Sequence, residues 1–232
     1  MAGFLRLLLG LALLPMCWGA ACAFASVLVS AAGAHGCLNA ETLSFLGGMA
    51  VFALTWFSLS HPVKTYVFGH EMTHALWGLL FGARPSKLRV GARGGSVNLT
   101  KSNLLITLAP YFFPFYTAVV ILAGLVTYAF VRPLPWLPVW LFFVGFTWAF
   151  HVLFTLETLT QRQPDITLYG RIFSWAFIFL CNLVFVLLGL TLLTPVTFAD
   201  VGGSLAQCII SAYVGVFRGL AAAVTWIISH VS

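Results

Sequence analysis

The sequence predicts an all-α polytopic membrane protein with six or seven transmembrane helices and one short β-hairpin. Its 232 residues are 61% hydrophobic and 7% charged, with a mean hydropathy of +1.04. Soluble domains do not sustain such values over a whole chain. The apolar residues also form runs near the ~20 residues that cross a bilayer as a helix. We find no long linker and no clear internal repeat, which predicts a single membrane-embedded domain over 1–232.

The apolar runs place the candidate spans along the chain. His61-Pro62 separates the second run from the third so narrowly that the two could form one long broken helix, which leaves the count at six or seven. The first run carries Arg6 and small residues, as a signal peptide does, but its apolar character continues to Ala34 and favours an uncleaved span. The candidate spans are roughly 4–32, 43–60, 63–82, 103–129, 134–159, 167–193 and 204–230.

Residues 83–103 form the longest polar segment. Within it, KLRVGA and SVNLT alternate partly in polarity around Arg93-Gly94-Gly95, a pattern that predicts a β-hairpin. An ordinary basic loop on the cytoplasmic face is the alternative interpretation. Two spans lie between this segment and the basic loop after the fifth span, so both should face the cytoplasm. The basic residues concerned are Arg84, Lys87, Arg89, Arg93, Lys101, Arg162 and Arg171.

Charge and cysteine content narrow the expected partners. The net charge of +6 comes from short connecting segments and fits contact with a lipid bilayer better than binding of nucleic acid, so we expect no nucleic-acid partner. The five cysteines form no CxxC pair, are odd in number and mostly lie in apolar runs. We interpret them as small buried hydrophobes without a disulfide framework or a thiolate metal site. They are Cys17, Cys22, Cys37, Cys181 and Cys208.

GHEMTHALWG, residues 69–78, places ionisable side chains in an apolar run. His70 and His74 stand four positions apart, so on a helix their side chains lie within roughly 40° of each other. Two imidazoles so placed can bind one Zn²⁺, and Glu71 can accept a proton from a water held there. Pairing with another buried polar group is the alternative role. Ionisable groups inside a span are costly and usually mark a functional site.

The same helix face continues through Tyr66, His70, His74, Gly78 and Gly82. GLLFG is a small-xxx-small pattern that lets another helix backbone approach closely. A close neighbour is what a third metal ligand requires. Ordinary packing glycines are the alternative interpretation.

These residues resemble the intramembrane zinc metalloproteases of the site-2 protease type, the M50 family, and especially its small M50B-like members without a PDZ domain. The resemblance covers about 61–193. It depends on HEMTHALWG in a hydrophobic helix, a Gly-containing hairpin after it, prolines in APYFFPFY (Pro110 and Pro114) and an Asp at the edge of a later span. The NxxPxxxLDG-type motif of the family is absent, and QPDITLYG stands roughly where its Asp ligand would be expected. The resemblance implies an HExxH zinc endopeptidase.

A catalytic zinc needs a third protein ligand besides two histidines. Asp165 is the first choice, because Pro164 ends the preceding helix and Asp165 can then begin the next one on the hairpin's side of the membrane. Asp165 could instead be a helix N-cap. His151, deeper in the fifth span, and Glu157 are the alternative ligands, although either could be a hydrogen-bond partner of polar groups in the spans. Those groups are Thr147, Thr155 and Asn182.

Two classes of function follow. The first is a zinc metalloendopeptidase with His70, His74 and Asp165 as metal ligands and Glu71 as catalytic base, cutting a transmembrane or juxtamembrane segment of a substrate protein. Such a segment must unwind, and a hairpin edge between Lys87 and Thr100 could hold it by main-chain pairing. The second is a non-catalytic metal-binding relative or a metal transporter. A transporter should show repeated halves, which the sequence lacks.

Overall fold

The computed structural model describes residues 2–33, 39–59, 61–92, 94–134 and 136–231. Most of them are helical, and the sheet among them is a two-stranded hairpin. The predicted all-α architecture with one short β-hairpin is therefore confirmed. The elements are α1 (Ala2–Gly33), α2 (Ala40–Ser58), α3 (Val63–Leu80), β1 (Pro85–Gly91), β2 (Gly94–Leu99), α4 (Leu104–Phe112), α5 (Phe115–Phe130), α6 (Leu137–Thr160), α7 (Pro164–Tyr169), α8 (Arg171–Leu193) and α9 (Phe198–Val231).

Five of the described helices, α1, α2, α6, α8 and α9, are long and apolar enough to cross a membrane. Helices α4 and α5 pass the same test together but meet at 78°, which gives a sixth span if the bent pair is counted as one. The bend lies at Phe113-Pro114, because proline cannot continue the hydrogen bonding of α4. The predicted span 63–82 corresponds to α3, which is not among these helices. Its Lys64, His70, Glu71 and His74 lower its hydropathy.

The chain divides into two compact units, one containing α1, α8 and α9 and the other containing α2 to α7 with the hairpin. The single domain expected from the sequence stays a prediction. In the first unit, Tyr213 of α9 donates a hydrogen bond to the Ala12 carbonyl of α1 at 2.7 Å. The described cysteines are free and half-buried, whereas the sequence suggested small buried hydrophobes. Cys37 lies outside the described residues, as does His35.

The second unit is organised around close packing of α2 on α6. A Cβ on Gly48 would collide with the Phe142 carbonyl, and one on Gly145 would collide with that of Phe45, so glycine is required for this approach. The adjacent core is aromatic and includes Phe52 and the residues it contacts on α6. Tyr66 of α3, the helix that carries HEMTH, packs against this same cluster.

The hairpin follows α3 directly, as predicted. Strands β1 and β2 pair antiparallel, with Pro85 opposite Leu99 and Gly91 opposite Gly94, and the register shifts between Ser86 and Arg89. Arg93, at the turn of the predicted hairpin, lies outside the described residues. Both strands pack on α3, so the hairpin and the HEMTH residues form one local assembly.

Candidate metal centre

Helix α3 presents His70 and His74 on one face. Their ring centroids are 4.9 Å apart and the rings are inclined at 76°. Each side chain is 12% exposed, so the imidazoles are shielded but still reachable. The four-residue spacing therefore brings the two imidazoles together as a helix requires.

The third candidate ligand lies in the segment after α6. Helix α6 ends at Thr160, and α7 begins at Pro164, whose fixed φ and missing N–H suit a first helical position. Asp165 Oδ2 then lies 3.6 Å from His70 Nε2 and 3.4 Å from His74 Nε2. One ligand atom from each of the three residues lies within 4.8 Å of the others. Among the described residues, this is the group of three that could hold a metal ion.

The donor set and its spacing fit a tetrahedral metal such as zinc. Zinc takes imidazole nitrogen and carboxylate oxygen at about 2.0–2.2 Å, which puts neighbouring tetrahedral donors roughly 3.3 Å apart. The N···O separations of 3.4 and 3.6 Å lie close to that value. Three protein donors also leave a fourth position open, as catalytic zinc sites do. The residues present therefore fit a metal with one exchangeable position.

Hydrogen bonds behind the imidazoles direct their Nε2 atoms toward this point. His74 Nδ1 lies 2.8 Å from the Ile106 carbonyl oxygen, to which it can only donate. Asn103 caps α4 by accepting from the Ile106 N–H at 2.9 Å, so the cap fixes the position of that carbonyl. His70 Nδ1 lies 3.3 Å from the Tyr66 hydroxyl. Outer partners of this kind orient metal-binding histidines.

Asp165 has an outer partner of its own. The Tyr111 hydroxyl donates to Oδ2 at 3.2 Å, and the Tyr111 ring meets the His70 ring edge-on at 5.2 Å. Burial alone would raise the pKa of Asp165, but hydrogen bonds and positive charge from His70 and His74 outweigh burial and hold its pKa well below the usual range. The carboxyl is therefore ionised, the form that binds metal.

Glu71 lies beside this group and under the hairpin. It is 7% exposed, and the backbone N–H of Val97 in β2 interacts with its carboxyl. A Cβ on Gly95 would come within 2.8 Å of Glu71 Cγ and 2.6 Å of Val67 Cγ1, so the absence of a side chain there lets β2 settle on α3. The hairpin thus holds the carboxyl in place.

A cleft of about 680 Å³ opens onto the three ligands and Glu71. It is lined by one face of α3, by β2 with its preceding turn, by the end of α6 and by the segment leading to Asp165. A volume of this size accommodates a short stretch of extended peptide. The lining residues are Val63, Tyr66, Val67, His70, Glu71, His74, Ala92, Gly94, Gly95, Ser96, Val97, Phe154, Glu157, Thr158, Gln161, Gln163, Pro164 and Asp165.

The alternatives for the third ligand lie elsewhere. His151 is 7% exposed and lines a second, small cavity of about 20 Å³ that His70 also lines, but it is not part of the group of ligand atoms. Glu157 Oε2 lies 3.7 Å from His61 Nδ1 and is not part of that group either. Asp165 is not an N-cap, because Pro164 is already helical and the Asp165 carboxylate faces the two imidazoles.

The sequence predicted the wrong packing partner for the glycine face of α3. The small-xxx-small pattern of Gly78 and Gly82 suggested a neighbouring helix. Instead, a Cβ on Gly78 would come within 2.9 Å of Leu99 Cδ2, so the hairpin occupies that face of α3. The third ligand comes from another part of the unit.

Sequence reasoning missed the outer partners. Tyr66 carried a signal, because it stands four positions before His70 on the same helix face. Tyr111 and the Ile106 carbonyl had no such signal in the sequence, because only the packing of α4 on α3 brings them close to the candidate ligands. A backbone carbonyl is present at every residue, and nothing in the sequence marks the one that is used.

Comparisons with known proteins do not assign the chain to a family. A scan against protein-family models finds no match, and searches of curated proteins and of solved structures find none either.

Proposed function

We propose that this chain is a multi-pass integral membrane protein and a zinc metalloendopeptidase that hydrolyses a peptide bond in or near a transmembrane segment of another protein. The observation that carries the proposal is the convergence of His70, His74 and Asp165 in a cleft that also exposes Glu71. Metal binding alone would not require a carboxylate beside the open position. The resemblance of HEMTHALWG to site-2 type proteases points to the same reaction.

His70, His74 and Asp165 would hold the metal. Zinc fits best, because two imidazoles and one carboxylate at tetrahedral spacing are typical of its hydrolytic sites. When bound there, zinc supplies Lewis acidity toward water and toward a carbonyl oxygen. Tyr66, Tyr111 and the Ile106 carbonyl keep the three ligands oriented.

Glu71 is the proposed proton carrier. A carboxylate accepts a proton from a water that attacks a peptide carbonyl, and the resulting acid can then donate that proton to the leaving amine. Glu71 fits this role because it lines the cleft next to His70 in the chain and is held by β2. A glutamine at this position would keep the shape and lose both proton transfers.

Strand β2 is the proposed holder of the substrate. Helical substrate segments must unwind before hydrolysis, and an extended segment can add to the edge of a sheet through main-chain hydrogen bonds. Strand β2 lines the cleft with Gly95, Ser96 and Val97, whereas β1 contributes no described residue to the lining. An extended peptide beside β2 would therefore pass the metal ligands.

The test compares two single-residue variants in proteoliposomes that contain a transmembrane peptide library. Glu71→Gln should keep about one zinc ion per chain, by elemental analysis, and lose cleavage, by mass spectrometry of the products. His74→Ala should lose both, because it removes a ligand. Metal retention with no cleavage by the wild type would support a non-catalytic metal-binding protein instead. Cleavage by Glu71→Gln at the wild-type rate would remove Glu71 from its role.

A further inference from the structure

One face of α6 forms a wall of the cleft. Phe154, Glu157, Thr158 and Gln161 all line it, and their spacing of three or four positions places them on the same side of the helix. Helix α6 ends at Thr160, so Glu157 lies about 5 Å from its end. In a helix of this length that crosses a bilayer, Glu157 is near the membrane surface.

This wall is directly connected to the metal centre. The Phe154 ring stacks on the Tyr66 ring at 4.6 Å between centroids, and Thr158 interacts with the Tyr66 hydroxyl. That hydroxyl lies 3.3 Å from His70 Nδ1. Glu157 stands between Phe154 and Thr158 in the chain. Glu157 therefore lies on the cleft wall beside residues that contact Tyr66, the outer partner of His70.

Glu157 differs from the rest of the lining in charge. The other acidic and imidazole side chains among the described lining residues are the three candidate ligands and Glu71, so Glu157 is the one that has no place in the candidate metal centre. The lining residues that the described hairpin supplies are uncharged, and its basic residues Lys87 and Arg89 lie outside the cleft. The Glu157 side chain is 38% exposed, so a substrate can reach its carboxylate. His61 Nδ1 lies 3.7 Å from Glu157 Oε2.

We propose that Glu157 selects substrates that carry a lysine or arginine beside the scissile bond, in the juxtamembrane segment that enters the cleft. This inference rests on the proposed proteolytic function. A carboxylate on the wall of a partly enclosed cleft attracts a cation and disfavours an anion. Cytoplasmic juxtamembrane segments of membrane proteins are rich in Lys and Arg. The substrate class is therefore membrane proteins with a basic juxtamembrane segment.

The experiment uses the full-length protein in liposomes and a set of synthetic peptides. Each peptide has one transmembrane helix of Leu and Ala and a juxtamembrane segment in which one position, moved along the segment, is Lys, Gln or Glu. At the best position, we expect kcat/KM for the Lys peptide to exceed that for the Gln peptide about three- to fivefold, the size of a partly exposed ion pair. The Glu peptide should be cleaved most slowly. High salt should reduce the difference.

Variants at Glu157 assign the preference to this side chain. Glu157→Gln should abolish the preference for Lys, and Glu157→Lys should reverse it in favour of the Glu peptide. The matched control is Glu41→Gln, which removes the same charge from the first turn of α2, away from the cleft lining, and should keep the wild-type preference. Equal cleavage of the three peptides by the wild type, or an unchanged preference in Glu157→Lys, would overturn the proposal.

A binding readout separates this proposal from the proposed function. A photo-crosslinkable residue in the transmembrane part of each peptide measures occupancy of the cleft in the Glu71→Gln variant, which needs no cleavage. Stronger crosslinking of the Lys peptide, lost on adding Glu157→Gln, supports the role of Glu157 even if the wild type cleaves nothing and the proteolytic function fails. Equal crosslinking of the Lys and Glu peptides contradicts that role, whether or not cleavage occurs.

Discussion

Each side chain of the candidate metal centre has a partner behind it that restricts its direction. His74 contacts the Ile106 carbonyl, His70 contacts the Tyr66 hydroxyl, and Asp165 accepts a hydrogen bond from the Tyr111 hydroxyl. Side chains on two separate segments, α3 and α7, can keep their ligand atoms within fractions of an ångström only if such partners limit their rotation. The Asp165 carboxylate also faces both imidazoles, at 3.6 Å from His70 Nε2 and 3.4 Å from His74 Nε2.

Asp165→Asn tests the third ligand. The amide keeps the volume and the start of α7 but removes the anionic donor, so zinc affinity should fall by at least about 100-fold, more than outer partners contribute. His151→Ala should keep the metal, because His151 lies outside the ligand group. Competition with a zinc-binding dye measures both affinities, and circular dichroism checks that the helices persist. Loss of zinc from His151→Ala alone would move the site deeper into α6.

Tyr111→Phe tests the partner behind Asp165. The change deletes one hydroxyl and keeps the ring that packs on His70, so zinc affinity should fall about 10-fold. Tyr116→Phe is the matched control, because the Tyr116 hydroxyl donates to the Thr65 carbonyl at 2.6 Å and not to a ligand. The same dye competition measures both variants. Equal affinities in the two variants would show that the Tyr111 hydroxyl does not position the ligand.

The ligands were predictable to different degrees. His70 and His74 follow from a helical repeat, which is a local property of four residues. Asp165 followed from chemistry, since few ionisable residues were available and Pro164 placed it after a span. Asp165, His151 and Glu157 lie within fifteen positions of one another, so the sequence could not decide which of them is the third ligand. The choice depends on the path that residues 161–163 take in three dimensions.

At the level of elements, the hairpin determines how Glu71 is presented. Strand β2 lies on α3 at Gly95 and reaches the Glu71 carboxyl through the Val97 backbone. The turn residues predicted the hairpin, but not which side of it would face α3. The bend between α4 and α5 was implied by Pro114, whereas its angle of 78° depends on packing.

Gly95→Ala tests the contact between hairpin and helix. The added methyl would meet Val67 Cγ1 at 2.6 Å and the Arg89 carbonyl at 2.7 Å, so the strand must move. We expect a loss of about 1–3 kcal/mol in the free energy of unfolding and slower cleavage. Gly91→Ala is the control, because its nearest contact would be the Gly94 carbonyl at 3.3 Å. Denaturant unfolding in detergent and the cleavage assay measure both. Equal stabilities and equal cleavage rates in the Gly95→Ala and Gly91→Ala variants would mean that the hairpin does not pack against Glu71.

On the scale of the whole molecule, exposed apolar residues are what a bilayer would cover. The candidate span Phe198–His230 is the extreme case, since none of its apolar window is buried within the protein. Burying such surface in lipid is favourable, whereas exposing it to water is not. The composition of each segment was enough to predict which helices carry apolar surface, because that property depends on the residues of the helix itself and not on its neighbours. The sequence did not predict that α7 would interrupt the chain between two spans.

The membrane topology tests this arrangement. Residues of β2 and Gln161 line one cleft, so the hairpin and the segment after α6 should share a membrane face, the cytoplasmic one by their basic residues. In a cysteine-free background, Ser86→Cys and Gln161→Cys should react with an impermeant maleimide in inside-out vesicles. Val131→Cys should react only in right-side-out vesicles, because the 24 residues of α6 span about 36 Å between Val131 and Gln161. Labelling of Ser86→Cys and Gln161→Cys from opposite sides would separate the hairpin from the Asp165 segment and contradict the cleft that both form.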